Sequence, residues 1–194
     1  LTRRRIRRRA HRMLRLRRLF KREGMLADHN ADLLIPESIT PWQLRAEGLD
    51  RLLKPQEWAI ALYHIVKHRG FQSNRKSEAK ADEKAGQMLS GVKNNQLRMQ
   101  EKGYRTVGEL AAKDEAYANN KRNKGGDYSH TFARADLANE LSELFKAQRE
   151  NKSQYANISI ESAVYKLLMD RKPTLSGNDL LKMVGKCTFE KSEF

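Results

Sequence analysis

Between Leu1 and Arg22 the chain carries twelve basic residues and no acidic one: Arg3, Arg4, Arg5, Arg7, Arg8, Arg9, Arg12, Arg15, Arg17, Arg18, Lys21 and Arg22. The segment lacks proline, its β-branched residues are Thr2 and Ile6, and Gly24 stands where a helix would stop, so one helix is expected. On a wheel of about 100° per residue, Ile6, Ala10, Met13, Leu14, Leu16 and Phe20 gather into an apolar stripe. Arginines cover most of the remaining circumference, and Arg9, Arg17 and Lys21 fall within the stripe itself. Such a helix repels itself, because like charges four residues apart destabilise and nothing acidic intervenes before Glu23. Something anionic must neutralise it.

The make-up of the charge indicates which anion. Eleven of the twelve cations are Arg, whose planar fork pairs bidentately with phosphate, whereas a helix needing only solubility would mix Lys with Glu. A row such as Arg4, Arg8, Arg12 and Arg15 rises about 6 Å per i,i+4 step and can meet successive backbone phosphates over about two to three turns. Nucleic-acid binding is therefore preferred to a solvated cationic face or a localisation signal. Of the 39 Lys and Arg, the 27 outside this segment nearly balance the 24 Asp and Glu, leaving +3 of the formal +15. One helix makes the protein basic.

The 194 residues allow one or two compact units. A lone cysteine, Cys187, excludes an internal disulfide and suits a reducing compartment. No apolar run approaches the roughly 20 residues of a membrane span, and no signal peptide follows the first arginines. A Leu1 start followed at once by arginines suggests an excised fragment.

After Asp28 the pattern is helical almost throughout. Thr40 caps a short helix with Pro41 at its first position and Gly48 closing it. Pro55 opens the best core helix, in which Trp58, Leu62, Ile65 and Arg69 recur at helical spacing up to Gly70. From Gln72 to Gly103 aromatics are absent, and the weak set Ala81, Ala85, Met88, Leu89 and Val92 predicts an exposed or poorly packed helix. The span 72–124 is the one expected to be flexible. Thr106 and Glu109 have capping-box spacing, and Asn119–Asp127 is a loop by composition. Leu137, Leu141, Leu144, Phe145 and Gln148 mark a helix from about Arg134 to Glu150. Ile160–Met169 forms another with Val164, Leu167 and Leu168 inward, ended by Pro173. Ser176 is placed to cap a last turn or two carrying Leu180, Leu181, Met183 and Val184 before Gly185. No run alternates with period two, so the expected fold is all-α.

Enzyme chemistry finds no footing in the motifs. His64 and His68 have the spacing of a zinc hydrolase helix, but Ile65 occupies the place of the required Glu and no third ligand gathers nearby, so no metal site is expected. The preferred reading of Lys67, His68 and Arg69 is a set of cations at the negative end of a helix before Gly70, with phosphate contact as the alternative. Gly125 and Gly126 match no phosphate-binding loop. Carboxylates such as those of Lys80-Ala-Asp-Glu-Lys84 sit beside lysines on solvated faces, and Cys187 reads as a structural thiol. Trp42 and Trp58 are expected in the core rather than stacked on bases.

Six ordered stretches carry a resemblance: Arg18-Leu-Phe-Lys-Arg-Glu-Gly24, Thr40-Pro-Trp-Gln-Leu-Arg-Ala46, His64-Ile-Val-Lys-His-Arg-Gly-Phe71, Asp127-Tyr-Ser-His-Thr-Phe-Ala-Arg134, Lys172-Pro-Thr-Leu-Ser-Gly177 and Gly185-Lys-Cys-Thr-Phe189. Together they resemble the bridge helix and first recognition domain of type II-C CRISPR RNA-guided endonucleases, the Cas-nine family. Residues 72–124 are the least diagnostic. The resemblance implies a bridge helix over 1–23 and a helical recognition domain over 24–194. It also implies contacts to the guide RNA seed backbone, the repeat:anti-repeat duplex and the RNA–DNA heteroduplex through shape and phosphates, with sequence left to base pairing. The residues implied are Arg3, Arg4, Arg5, Arg7, Arg8, Arg9, Arg12, Arg15, Arg18, Lys21 and Arg22, with the Lys67-His68-Arg69-Gly70 corner. The parent would be a Mg2+-dependent DNA nuclease with RuvC and HNH domains, neither of them in this chain, so this piece should bind target DNA only as part of the parent and cleave nothing. Two other readings stay open: a freestanding basic RNA-binding protein of the ribosomal kind, and a docking target for an acidic anti-CRISPR inhibitor.

Overall fold

Helix α1 spans Thr2–Arg22, and its closure shows how local sequence sets its end. Gly24 N–H donates to Lys21 O at 3.1 Å and Met25 N–H to Phe20 O at 2.9 Å, with Gly24 at φ 76°. This is a Schellman closure, and the two residues that bracket it, Phe20 and Met25, are both buried. A side chain at Gly24 would strain that backbone. The computed structural model describes residues 2–29, 38–72 and 83–169. The expectations placed on Pro173, Ser176 and the turn to Gly185, and on Cys187, lie outside those residues.

Among the described residues six further helices follow: α2 (Pro41–Glu47), α3 (Pro55–Lys67), α4 (Glu83–Lys102), α5 (Val107–Lys113), α6 (Arg134–Glu150) and α7 (Ile158–Met169), with a 3-10 turn at Glu115–Tyr117. The starts are those the caps predict. Thr40 Oγ1 accepts from Gln43 N–H while Gln43 Oε1 accepts from Thr40 N–H, a reciprocal box. Thr106 Oγ1 accepts from Glu109 N–H at 3.2 Å. Among the described residues there is no strand, only a parallel bridge between Phe71 and Ala133, and the fold is all-α.

Helix α3 is the axis of the body. Trp58, Ala59, Ile60, Ala61, Leu62, Ile65 and Val66 are buried around most of its circumference, which a helix tolerates only when neighbours cover every side. Those neighbours are α1, α2, α6 and α7. Trp42 and Trp58 are core residues as expected, Trp58 meeting the Phe145 ring edge-on at 5.0 Å between centroids. Helix α4, expected to be poorly packed, keeps Val92 and Asn95 inward but leaves Leu97 more than half exposed. The stretch after it differs from expectation: Thr106, Val107, Leu110, Ala111 and Tyr117 are all buried. Short helices capped at both ends can enter a core without a long apolar run to announce them.

The apolar stripe of α1 also needs correcting. Met13, Leu16 and Phe20 are buried, joined by Leu19, which the wheel did not single out, but Ile6 is 61% exposed and Ala10 is exposed as well. The body covers α1 only from about Arg12 onward. Its first half has no apolar surface to lie on.

Candidate nucleic-acid interface

The exposed half of α1 is almost pure cation. Arg3, Arg5, Arg7, Arg8 and Arg9 are all exposed, on the helix whose backbone also carries Arg4; Arg15 and Arg18 are exposed further along. Among the described residues, no carboxylate pairs with Arg3, Arg5, Arg7, Arg8, Arg9, Arg15 or Arg18. Only the last two cations find acids, Lys21 with Asp28 at 3.6 Å and Arg22 with Glu23 at 2.7 Å. Arg17, half-buried, lies over the Tyr63 ring at 5.4 Å, and Lys67 approaches the same ring at 5.7 Å. Tyr63 thus ties the end of α3 to the middle of α1.

Arg12 is the hinge between the two halves. Its Nε donates to Val66 O, the penultimate residue of α3, at 3.3 Å. Burial first, then the nearby charges of Arg69 and Arg9, lower its guanidinium to about 10, so it stays charged at neutral pH. The corner after α3 therefore stands beside α1, and Arg9, Arg12 and Arg69 form one field. Gly70 turns that corner at φ 71°, and a Cβ there would lie 2.9 Å from Phe132 O. Both conformation and space demand glycine.

A third segment joins them. Arg122, in the loop 118–127, reaches His68, with Nη2 3.1 Å from His68 Nε2. Burial, then Arg122, Arg9 and Lys67, press the His68 imidazole down to about 3, so at neutral pH its ring nitrogen accepts a hydrogen bond from the Arg122 guanidinium. His68 consequently contributes no positive charge at the end of α3, correcting that part of the dipole reading. His64 is likewise neutral, its pKa driven far down by burial and then by Arg45. Of the residues singled out from sequence, the structure brings Arg9, Arg12, Lys67, His68, Arg69 and Gly70 together, while Arg3, Arg5, Arg7 and Arg8 stay exposed on the first half of α1. Arg122 was missed, since a basic loop 54 positions from His68 gives no sign of where it will land.

Arg45 shows the opposite arrangement. It is fully buried, with Nε and Nη2 forking onto Glu140 Oε1 and Oε2 at 2.6 Å each, Nη1 3.0 Å from His64 Nδ1, and its guanidinium carbon 4.3 Å over Trp42. Glu140 Oε2 also accepts from Gly108 N–H at 3.1 Å, fastening α5 to α6. Among the described residues no group of three His, Cys, Asp or Glu could hold a metal, and no helix is long and apolar enough to cross a membrane.

No family model matches the sequence. The CRISPR-associated endonuclease Cas9 of Campylobacter jejuni is 29% identical over 163 residues, covering 80% of this chain and 16% of that protein. Cas9 1 of Streptococcus thermophilus is 27% identical, covering 97% of this chain and 19% of that protein. The chain thus spans under a fifth of each curated relative. Among solved structures, Campylobacter jejuni Cas9 in complex with sgRNA and target DNA superposes with a TM-score of 0.76 at 27% identity, over 89% of this chain and 24% of that one. An St1Cas9–sgRNA–tDNA20–AcrIIA6 dimeric assembly shares the fold at a TM-score of 0.67 and 24% identity, over 91% of this chain and 20% of that one.

Proposed function

We propose, for a chain homologous over most of its length to the Cas9 endonucleases of Campylobacter jejuni and Streptococcus thermophilus, that it is the guide-RNA-binding part of an RNA-guided DNA endonuclease. Residues 1–23 act as the bridge helix and the remainder as a helical recognition domain. The observation that supports this is the first half of α1, a rod of arginines standing clear of the body with no carboxylate paired to Arg3 or to Arg5 through Arg18 among the described residues. Charges so placed await an external anion, and a phosphate backbone matches their spacing and their forks. The corner Lys67–Gly70 with Arg122 extends the track off the helix. Catalysis and the Mg2+ that serves it belong to other parts of the proposed cytoplasmic parent, as does target-DNA cleavage.

The test is guide RNA affinity against salt. Each phosphate contact contributes a slope of roughly −0.7 to −0.9 in log affinity against log salt. Replacing Arg8, Arg12 and Arg15 together by Ala should lower the affinity and flatten the slope by about two to three such units. Unchanged affinity and slope would remove the function assigned to α1. The same uncompensated face suits an acidic inhibitor protein, which should then compete with guide RNA and lose its hold as salt rises.

A further inference from the structure

Beside the cation corner lies a cleft of about 410 Å³ that the backbone-binding reading leaves unused. Its volume falls at the small end of ligand pockets, room for a single nucleotide rather than a peptide or a helix. It is walled by the corner 68–71, the loop residues 121–123, the segment 130–132, and Trp42, Arg45, Met88 and Leu137, and among the described residues no carboxylate lines it. Trp42 and Phe132 are both buried to 8% exposure, their rings 6.2 Å apart, and form the floor. Phe71 is half-exposed on the wall. Its backbone is pinned on both sides, its N–H donating to Phe132 O and its carbonyl accepting from Arg134 N–H, each at 2.8 Å. Arg69, Lys121 and Arg122 bring positive charge to the lining.

An aromatic floor, a pinned aromatic wall, an absence of acids and cations at the mouth together suit a ligand with a flat apolar body and one negative end. We infer that this cleft receives one unstacked nucleobase of the bound RNA, its 5′-phosphate held at the mouth by Arg69 and Arg122. The base is offered the Phe71 face for stacking, and the Asn123 amide stands within the same wall for its polar edge. Asn123 is held for that purpose from both sides, its Nδ2 donating to Thr131 Oγ1 at 2.8 Å and its Oδ1 accepting from His130 N–H at 2.9 Å, which leaves the second Nδ2 hydrogen for a ligand. The neutral His68 keeps Arg122 at the mouth. Arg12 lies within electrostatic range of both Arg9 and Arg69, so a track of phosphates along α1 leads toward this place.

The inference rests on the RNA-binding reading, and the experiment separates the two. The full chain is titrated with adenosine, guanosine, cytidine and uridine 5′-monophosphates and with ribose 5-phosphate, following the two indole N–H signals by NMR. At least one nucleotide should bind about tenfold or more tighter than ribose 5-phosphate, the gain expected from one stacked base, and should move the Trp42 signal. Phe71→Ala should abolish that advantage and weaken guide RNA about tenfold with no change in salt slope, because it removes a stacking face and no phosphate contact. Phe71→Leu keeps apolar bulk and the fold but should lose the same advantage, which distinguishes stacking from unfolding. Nucleotides binding no tighter than ribose 5-phosphate would overturn the inference while leaving the α1 assignment intact. Base-dependent binding with guide RNA indifferent to Arg8, Arg12 and Arg15 would instead sink the RNA reading and leave a nucleotide site.

Discussion

Arg45 and Arg8 are the same side chain in opposite circumstances. Arg45 is buried with every part of its fork assigned, to Glu140, His64 and the Trp42 face. Arg8 stands in solvent with Arg4 one turn before it and Arg12 one turn after. In the body, a cation is surrounded by the groups that stabilise it and the fold depends on it. On α1, cations are surrounded by other cations, and the fold tolerates them only because the helix has left the body. A guanidinium is thus structural where its partners are internal and functional where they are missing, and the division between the two falls at Arg12.

The sharpest way to break this contrast is to remove the internal partner. Arg45→Ala or Glu140→Ala leaves a buried charge without its counterpart and should cost about 3–5 kcal/mol in urea unfolding, with the salt dependence of RNA binding per folded molecule unchanged. Acid should act next. The folded chain keeps His64 and His68 neutral, whereas both take protons below about 6.5 once unfolded, so the unfolded state binds more protons and stability must fall as pH drops. The loss begins near pH 6.5 and, for His68, continues to about 3. With solvent screening at half-exposed His68, we expect about 1–2 kcal/mol lost between pH 7 and 5, less in His68→Gln. Stability flat over that range would contradict the neutral pair. Asp114 and Glu109, whose carboxyls are held near 2 by Lys102, Arg98, Arg105 and Lys113 against the cost of burial, lose their contribution only further down, from about 4.5 toward 2.

Much of this contrast was legible in the sequence, and the rest was hidden for a physical reason. Caps and periodicity are local, so α2, α3, α5, α6 and the closure of α1 at Gly24 could be read from neighbouring residues. The charge of α1 could be read too, because it is a run. The burial of Arg45 could not: its partners are Glu140 and His64, 95 and 19 positions away, and within Thr40–Ala46 it looks like an ordinary exposed helical arginine. Likewise Ile6 and Ala10 continue the apolar stripe perfectly well in sequence. Whether a stripe is covered depends on where the neighbouring helices end, and α3 meets α1 through Tyr63 and Val66, at Arg17 and Arg12.

Arg12 sharpens the boundary itself. Arg12→Ala removes the bond to Val66 O and the packed stem, and should destabilise the free chain by about 1 kcal/mol. It should also flatten the RNA salt slope by one phosphate contact. An effect on only one of the two would place Arg12 wholly on one side of the divide.

The smallest effect tests the outer half and has the opposite sign. Arg8→Glu puts a carboxylate between Arg4 and Arg12, converting two like-charge i,i+4 pairs into opposite ones, with Glu N-terminal to Arg12 in the better orientation. Each converted pair should favour the helix by about 0.2–0.5 kcal/mol, visible as slightly greater helicity by circular dichroism at low salt and vanishing at high salt. RNA affinity should fall at the same time. A substitution that stabilises the helix and weakens the complex is what a residue held against the interests of its own fold must give; if Arg8→Glu instead lowered helicity, Arg8 would have a partner within the chain and the contrast with Arg45 would disappear.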